Sequence, residues 1–319
     1  MKLGIFTDGL EALPFAAMLD RVSALGLGAV ELGTGCFSPH PHCDLDLMLE
    51  DSAARSAFAS EIARRGLIIS ALNCSGNPLH PRPERADADD ATLRKTILLA
   101  ELLGVSNVVA MSGCPGAPGE SQYPNWVTFL WPDDFLELRA WQWQEKILPY
   151  WQDVAAFART HGGVRLCLEM HPGMAVYNTE TLLRLRAVAG ENLGANLDPS
   201  HLFWQGMDPL VVIRALGQAV FHVHAKDTRV DGPNTALVGA LDTSWPATPQ
   251  AMPWVFRAVG YGHGASFWAD FVSELRAGGY DGALSIEHED PLLEAGDAIA
   301  KAVALLRGVV PAEGEAAGM

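Results

Sequence analysis

Short β-rich runs alternate with longer helical patterns eight times along this chain, and that rhythm restricts its fold more than any other feature. The strand runs are KLGIFT (2–7), AVELG (29–33), LIISALN (67–73), NVVAM (107–111), VRLCLEM (164–170), LGANLD (193–198), VFHVHAK (220–226) and ALSIEHE (283–289). Helical patterns follow over 13–25, 51–65, 88–103, 137–160, 179–189, 208–216, 266–278 and 292–307. Serial strand–helix units predict a parallel sheet with right-handed crossovers. Eight of them in about 250 residues or more is the count of a closed (β/α)8 barrel. The rival, an open doubly wound sheet, normally shows a glycine-rich turn after its first strand. FTDGLEALP has one glycine there.

Two connections are too long for simple turns: 112–136 after the fourth strand and 227–265 after the seventh. Long ordered loops in a compact domain are usually functional. No linker or low-complexity stretch interrupts the pattern. Residues 1–308 are therefore expected to form one domain, with 309–319 a disordered tail.

Composition narrows the function. A formal charge of −16 repels phosphate backbones and anionic lipid, so neither nucleic acid nor membrane is an expected partner. No apolar run is as long as a membrane span. MKLGIFTDG lacks the pattern of a secretory signal. Five scattered cysteines without a CxxC pair fit reduced thiols in a cytoplasm.

In barrels of this kind, the loops after the strands form the face that carries chemistry. Nine of the ten histidines fall on or after strands; His161 is the exception. Alternation within the strands sorts side chains to opposite faces. Glu169 shares a face with Cys167 and His171, and Asp198 with Asn196. In FHVHAKD, His222, His224 and Lys226 oppose Phe221, Val223 and Ala225. Glu287 shares a face with Ser285 and Glu289. If the aliphatic sets pack on the helices, the polar sets point inward. Three carboxylates buried together would repel and resist ionisation. A divalent cation held by Glu169, Asp198, His224 and Glu287 removes that conflict. This oxygen-rich set suits Mn2+ best, with Mg2+, Co2+, Fe2+ or Zn2+ as alternatives. His222 lies one layer deeper than His224.

LEMHP, NLDPSH, HVHAKD and LSIEHED, in that order on consecutive strands, resemble the sugar phosphate isomerase/epimerase family. These are the xylose isomerase-like TIM barrels, which also include inosose dehydratases, keto-sugar 3-epimerases and endonuclease IV. The resemblance covers nearly the whole chain and implies an α/β (β/α)8 TIM barrel. It places the family's metal ligands on Glu169, Asp198, His224 and Glu287. It gives Glu169 and Glu287 the proton-transfer role of the keto-sugar epimerases. The implied reaction is proton transfer α to the carbonyl of a sugar or keto-sugar, through a metal-stabilised enediolate. VAMSGCPG and DPSHLFWQGMDP look more like the branch acting on 3-keto-glycosides, including C-glycoside-cleaving subunits. A β-eliminating lyase is the close alternative. The further histidines of the three-zinc endonuclease site are not assignable, which argues against a phosphodiesterase. A non-catalytic sugar-binding barrel is the other rival.

His171 and His201 follow two ligand positions and are read as substrate-binding residues, against a capping or packing role. Lys226 either reaches substrate or neutralises carboxylates; Arg165 is a further cation for a bland ion-pair network. His222 is read as a core histidine that orients a ligand, and Glu31 as an inward, structural residue. Arg257 and His263 are read as substrate contacts in the last loop. His40 and His42 either rim the pocket or lie in a solvated loop. Trp126, Trp131, Trp204, Trp245 and Trp254 offer faces for sugar rings or pack the loops. The partner expected is a small-molecule sugar, with a homo-oligomer or a small partner subunit left open.

Overall fold

The structure is a computed structural model that describes residues 1–243 and 248–311. Eight parallel strands close into a barrel: β1 (Lys2–Phe6), β2 (Ala29–Gly33), β3 (Ile68–Asn73), β4 (Asn107–Met111), β5 (Arg165–Glu169), β6 (Leu193–Leu197), β7 (Val220–Ala225) and β10 (Ala283–Ile286). Around it lie α1 (Phe15–Ala24), α2 (Leu45–Glu50), α3 (Ser52–Ala63), α4 (Pro83–Leu103), α5 (Asp133–Trp141), α6 (Leu148–Thr160), α7 (Thr179–Ala189), α8 (Ser200–Phe203), α9 (Pro209–Leu216), α11 (Ala265–Ala277) and α12 (Ala295–Val309). All eight expected strands form. The expected 137–160 helix is instead α5 and α6 joined by a π-helical turn, Gln142–Ile147. The described chain runs past 308 to residue 311, and residues 312–319 of the expected tail lie outside the described residues.

Local chemistry sets the ends of these elements. Asn178 and Thr181 form a reciprocal capping box that starts α7. Gly104 takes a left-handed conformation, φ 68°, where α4 must stop and turn into β4. Gly194 serves a close approach: a Cβ there would lie 2.4 Å from the Ala219 carbonyl oxygen and against the Phe221 ring.

The main core lies between strands and helices, with Trp151, Trp268 and Phe271 fully buried. A small separate cluster, Ala71, Val109, Cys167 and Phe221, fills one end of the barrel's interior. Phe221 departs from strict alternation. β6 and β7 pair Ala195 with Val220 and then Asn196 with His222, so Phe221 is an extra, bulged residue. The bulge moves its ring inside the barrel, away from Val223.

The 227–265 connection is more ordered than a loop. β8 (Asp227–Val230) and β9 (Trp254–Arg257) pair antiparallel, with α10 (Gly232–Val238) between them. The 112–136 connection is tied down by amides. Asn77 Nδ2 donates to the Cys114 carbonyl, and Gln142 Nε2 donates to the carbonyls of Pro115, Gly116 and Asn125. Among the described residues, no helix is long and apolar enough to cross a membrane.

Candidate functional site

Four strand ends meet at the barrel mouth. Glu169 ends β5, Asp198 follows β6, His224 lies on β7 and Glu287 follows β10. Each offers a ligand atom, and these four atoms lie within 4.8 Å of one another. Asp198 and His224 are fully buried. Glu169 and Glu287 line a cavity of about 290 Å3 together with His171, His201 and Lys226.

The hydrogen bonds fix each group. Glu169 Oε1 lies 3.1 Å from His201 Nε2, and its Oε2 accepts from Asn196 Nδ2 at 3.1 Å. Asp198 Oδ1 accepts from the Ser200 backbone N–H at 2.8 Å. Glu287 Oε2 lies 3.0 Å from His224 Nδ1 and 3.2 Å from Lys226 Nζ. Lys226 also reaches Glu289 at 2.5 Å and sits 4.4 Å over the Phe256 ring, which β9 supplies.

Burial and charge pull against each other here. Burial opposes ionisation of Glu169, yet His201 and His224 outweigh it and hold its carboxyl well below the usual range. Burial likewise opposes ionisation of Glu287, which Lys226 and His224 hold low. Asp198 goes the other way: burial, reinforced by Glu169 and Glu287, pushes it up to about 8 against the pull of Lys226. Burial would lower His224 and Lys226, but the surrounding carboxylates raise both. Burial keeps His201 neutral, down at about 3.

This donor set fits a divalent cation. It offers three carboxylates and an imidazole whose ligand atoms lie within 4.8 Å of one another, and the Asp198 Oδ2 is buried without a hydrogen-bond partner. Lys226 Nζ stands 3.7 Å from that oxygen, beyond hydrogen-bond reach, and a closer cation would satisfy it. Glu169, Asp198, His224 and Glu287 are the residues that would hold the ion.

Of the expected substrate contacts, His171, His201 and Lys226 reach the cavity. Arg257 and His263 do not line it. Arg257 Nε donates to Asp290 at 2.9 Å, and both side chains are buried. His263 Nδ1 pairs with Asp227 at 2.8 Å while its ring stacks on Phe203. Both residues tie the connection in place, while the neighbouring Phe256 of β9 packs against Lys226 and His201. His222 sits in the core, its Nδ1 3.0 Å from Asn196 Oδ1, and burial lowers it to about 4. Arg165 lies over the Phe221 ring, away from the carboxylates. His40 is exposed, whereas His42 is buried and bonds the Leu13 carbonyl oxygen at 2.8 Å.

The tryptophans lie elsewhere. Trp126 lines a second cavity behind the 112–136 connection. Trp204 and Trp254 stack on each other, centroids 4.6 Å apart. Trp131 is exposed, and Trp245 lies outside the described residues. Phe6 and Phe37 are the aromatic residues that line the main cavity. Asp8 and His288 line it too, unanticipated from the sequence. Burial, with Glu31 and Glu287 nearby, pushes Asp8 up to about 6 although Ser38 bonds it. Its position directly after β1 was the available signal.

Comparison with known proteins agrees with this architecture. The uncharacterized protein YfiH of Bacillus subtilis (strain 168) is 41% identical over 292 residues, 91% of this chain and 93% of that protein. The D-psicose 3-epimerase of Clostridium cellulolyticum H10, solved with D-tagatose, superposes with a TM-score of 0.63 at 15% identity, over 98% of this chain and 100% of that one. The IOLI protein, solved with a zinc atom, gives a TM-score of 0.64 at 19% identity, over 98% of this chain and 100% of that one. At such identities these two structures establish the fold alone. The family model described as xylose isomerase-like TIM barrel matches residues 19–309, and the chain belongs to that family.

Proposed function

We propose that this protein is a divalent-metal-dependent isomerase or epimerase that moves a proton α to the carbonyl of a sugar or keto-sugar, 3-keto-glycosides among them. One observation carries the reading: four ligand atoms from Glu169, Asp198, His224 and Glu287 converge within 4.8 Å beside an open cavity. The similarity to an epimerase and to a zinc-bound protein supports it. The oxygen-rich donors favour Mn2+ over Mg2+, Co2+, Fe2+ or Zn2+. A bound ion would supply positive charge against the oxyanion character that grows on the substrate as the α-proton leaves.

The chain's own residues do the rest. Glu169 and Glu287 are ionised acceptors on the cavity wall, and each can take a proton from a bound substrate. His201 and Asn196 hold Glu169 in place; Lys226 holds Glu287. His171 and His201 present imidazole nitrogens to substrate hydroxyls. Phe6 and Phe37 give the cavity apolar wall on which a sugar ring can rest. The charge of −16 favours a small-molecule substrate over nucleic acid or membrane, and five free thiols favour a reducing cytoplasm.

The test is proton exchange. The manganese-loaded protein is incubated with keto-sugars and 3-keto-glycosides in deuterated water. Deuterium entering α to the carbonyl supports the reading, and an unchanged skeleton identifies an epimerase or isomerase. Loss of a β-substituent would make the protein a lyase. Absence of exchange across the panel in protein that holds the metal would sink the proposal.

A further inference from the structure

The carboxylate of Glu31 is completely buried at the centre of the barrel, on β2. Its Oε1 accepts from Asn73 Nδ2 on β3 at 2.8 Å, and its Oε2 accepts from Ser285 Oγ on β10 at 2.8 Å. Both oxygens lie 3.1 Å from His224 Nε2. Two strands, β3 beside β2 and β10 on the far side of β1, thus clamp the carboxylate against one edge of the His224 ring. An ionised carboxylate only accepts, so the Nε2 facing it carries the hydrogen.

The other edge of the ring can be read independently. Asn196 Nδ2 lies 3.1 Å from Glu169 Oε2 and 3.2 Å from His224 Nδ1, while Asn196 Oδ1 faces His222 Nδ1 at 3.0 Å. Turning the amide over would set its oxygen against the Glu169 carboxylate, so its orientation is settled by its neighbours. His224 Nδ1 therefore faces an N–H donor on one side and the carboxylates of Glu169 and Glu287 on the other. Phe6 stacks on the ring at 12° between planes and keeps it from tilting.

We propose that Glu31 is a positioning residue for the cation site: it holds the His224 ring with Nε2–H inward, so that Nδ1 is the nitrogen aimed among Glu169, Asp198 and Glu287, where a bound cation would take the place of its proton. The inference rests on the metal reading above. A metal-ligating histidine that donates its other N–H to a carboxylate is held in tautomer and orientation, and becomes a stronger donor. A merely structural role for Glu31, balancing charge in the core, makes a different prediction. It ties Glu31 to stability and leaves metal affinity alone.

The experiment titrates the metal-free full chain with Mn2+ and follows free Mn2+ by electron paramagnetic resonance. Glu31→Gln keeps the size of the side chain and removes its charge. With its circular dichroism and unfolding midpoint monitored alongside, it is expected to bind Mn2+ about 10–100-fold more weakly than wild type. Affinity within twofold of wild type in a folded Glu31→Gln overturns the proposal. Should that variant lose its fold, Ser285→Ala removes one clamping hydrogen bond only. A several-fold weakening is then expected, and unchanged affinity overturns the inference. Wild-type protein that binds no divalent ion overturns the metal reading itself, which distinguishes the two failures.

Discussion

His201 Nε2 sits 3.1 Å from Glu169 Oε1 and 3.5 Å from Asp198 Oδ2, so one neutral imidazole touches two of the four candidate ligands. Its place, three residues after Asp198 on the short α8, makes this possible. His201→Ala should leave Glu169 less well held and reduce α-proton exchange by about 100-fold, the lower end of what a positioned acid–base group contributes. Exchange rates at saturating Mn2+ check this; an unchanged rate would return His201 to a packing role.

Glu169→Gln and Glu287→Gln keep shape and remove the proton acceptor. Each should lower exchange by about 10²–10⁴-fold. Deuterium incorporation measured by mass spectrometry decides it. A non-catalytic sugar-binding barrel would show no difference between these variants and wild type.

Metal removal should soften the whole domain, because an ion that binds only the folded chain stabilises it by mass action. Stripping with a chelator should lower the unfolding midpoint, and Mn2+ at about 100 times its dissociation constant should restore about 2.7 kcal/mol. Calorimetry with and without the ion is the measurement.

Arg257 and Asp290 form a buried pair. Arg257→Leu leaves the Asp290 carboxylate with only the Ala258 and Leu292 backbone N–H groups as partners. Removing one member of such a pair should cost about 3 kcal/mol of stability. The substrate KM should stay close to wild type. A large rise in KM with stability intact would put Arg257 back in contact with substrate.

His42 provides a pH prediction. Burial holds it below its ordinary value of 6.5, against the Leu13 hydrogen bond. Below about pH 6.5 the unfolded chain takes up a proton that the folded chain resists, so stability falls as the solution is acidified toward the folded-state value. His42→Gln keeps a donor for Leu13 and removes the titration. Its urea midpoint should fall less than wild type between pH 7.5 and pH 5; an equal fall would refute the assignment.

The barrel was legible because each strand is written as a compact β-rich run with a helical pattern behind it. The four metal-ligand candidates were legible because alternation within a strand sends polar residues one way and aliphatic residues the other. Glu31 obeys the same rule, but its role depends on His224, 193 residues away. No local pattern carries that information. Phe221 escaped because a bulge is decided by pairing between β6 and β7, not by either strand alone. The pairing of Arg257 with Asp290 and of His263 with Asp227 was hidden for a similar reason. Strands as short as β8 and β9 leave little periodic signal inside a glycine- and proline-rich stretch. The long connection therefore read as an ordered loop, without its strand pairing.

Phe221 has a last consequence. With Ala71, Val109 and Cys167 it stoppers the barrel below the candidate site. That end of the barrel is closed by apolar side chains, and the cavity opens at the other. On the proposed reaction, a hydrogen lifted from substrate by Glu169 or Glu287 would meet bulk water across that opening. With a substrate over it, that hydrogen would stay beside the carbon it came from. Some product should then keep its original isotope even in fully deuterated solvent, and opening the stopper with Phe221→Ala should erase that memory.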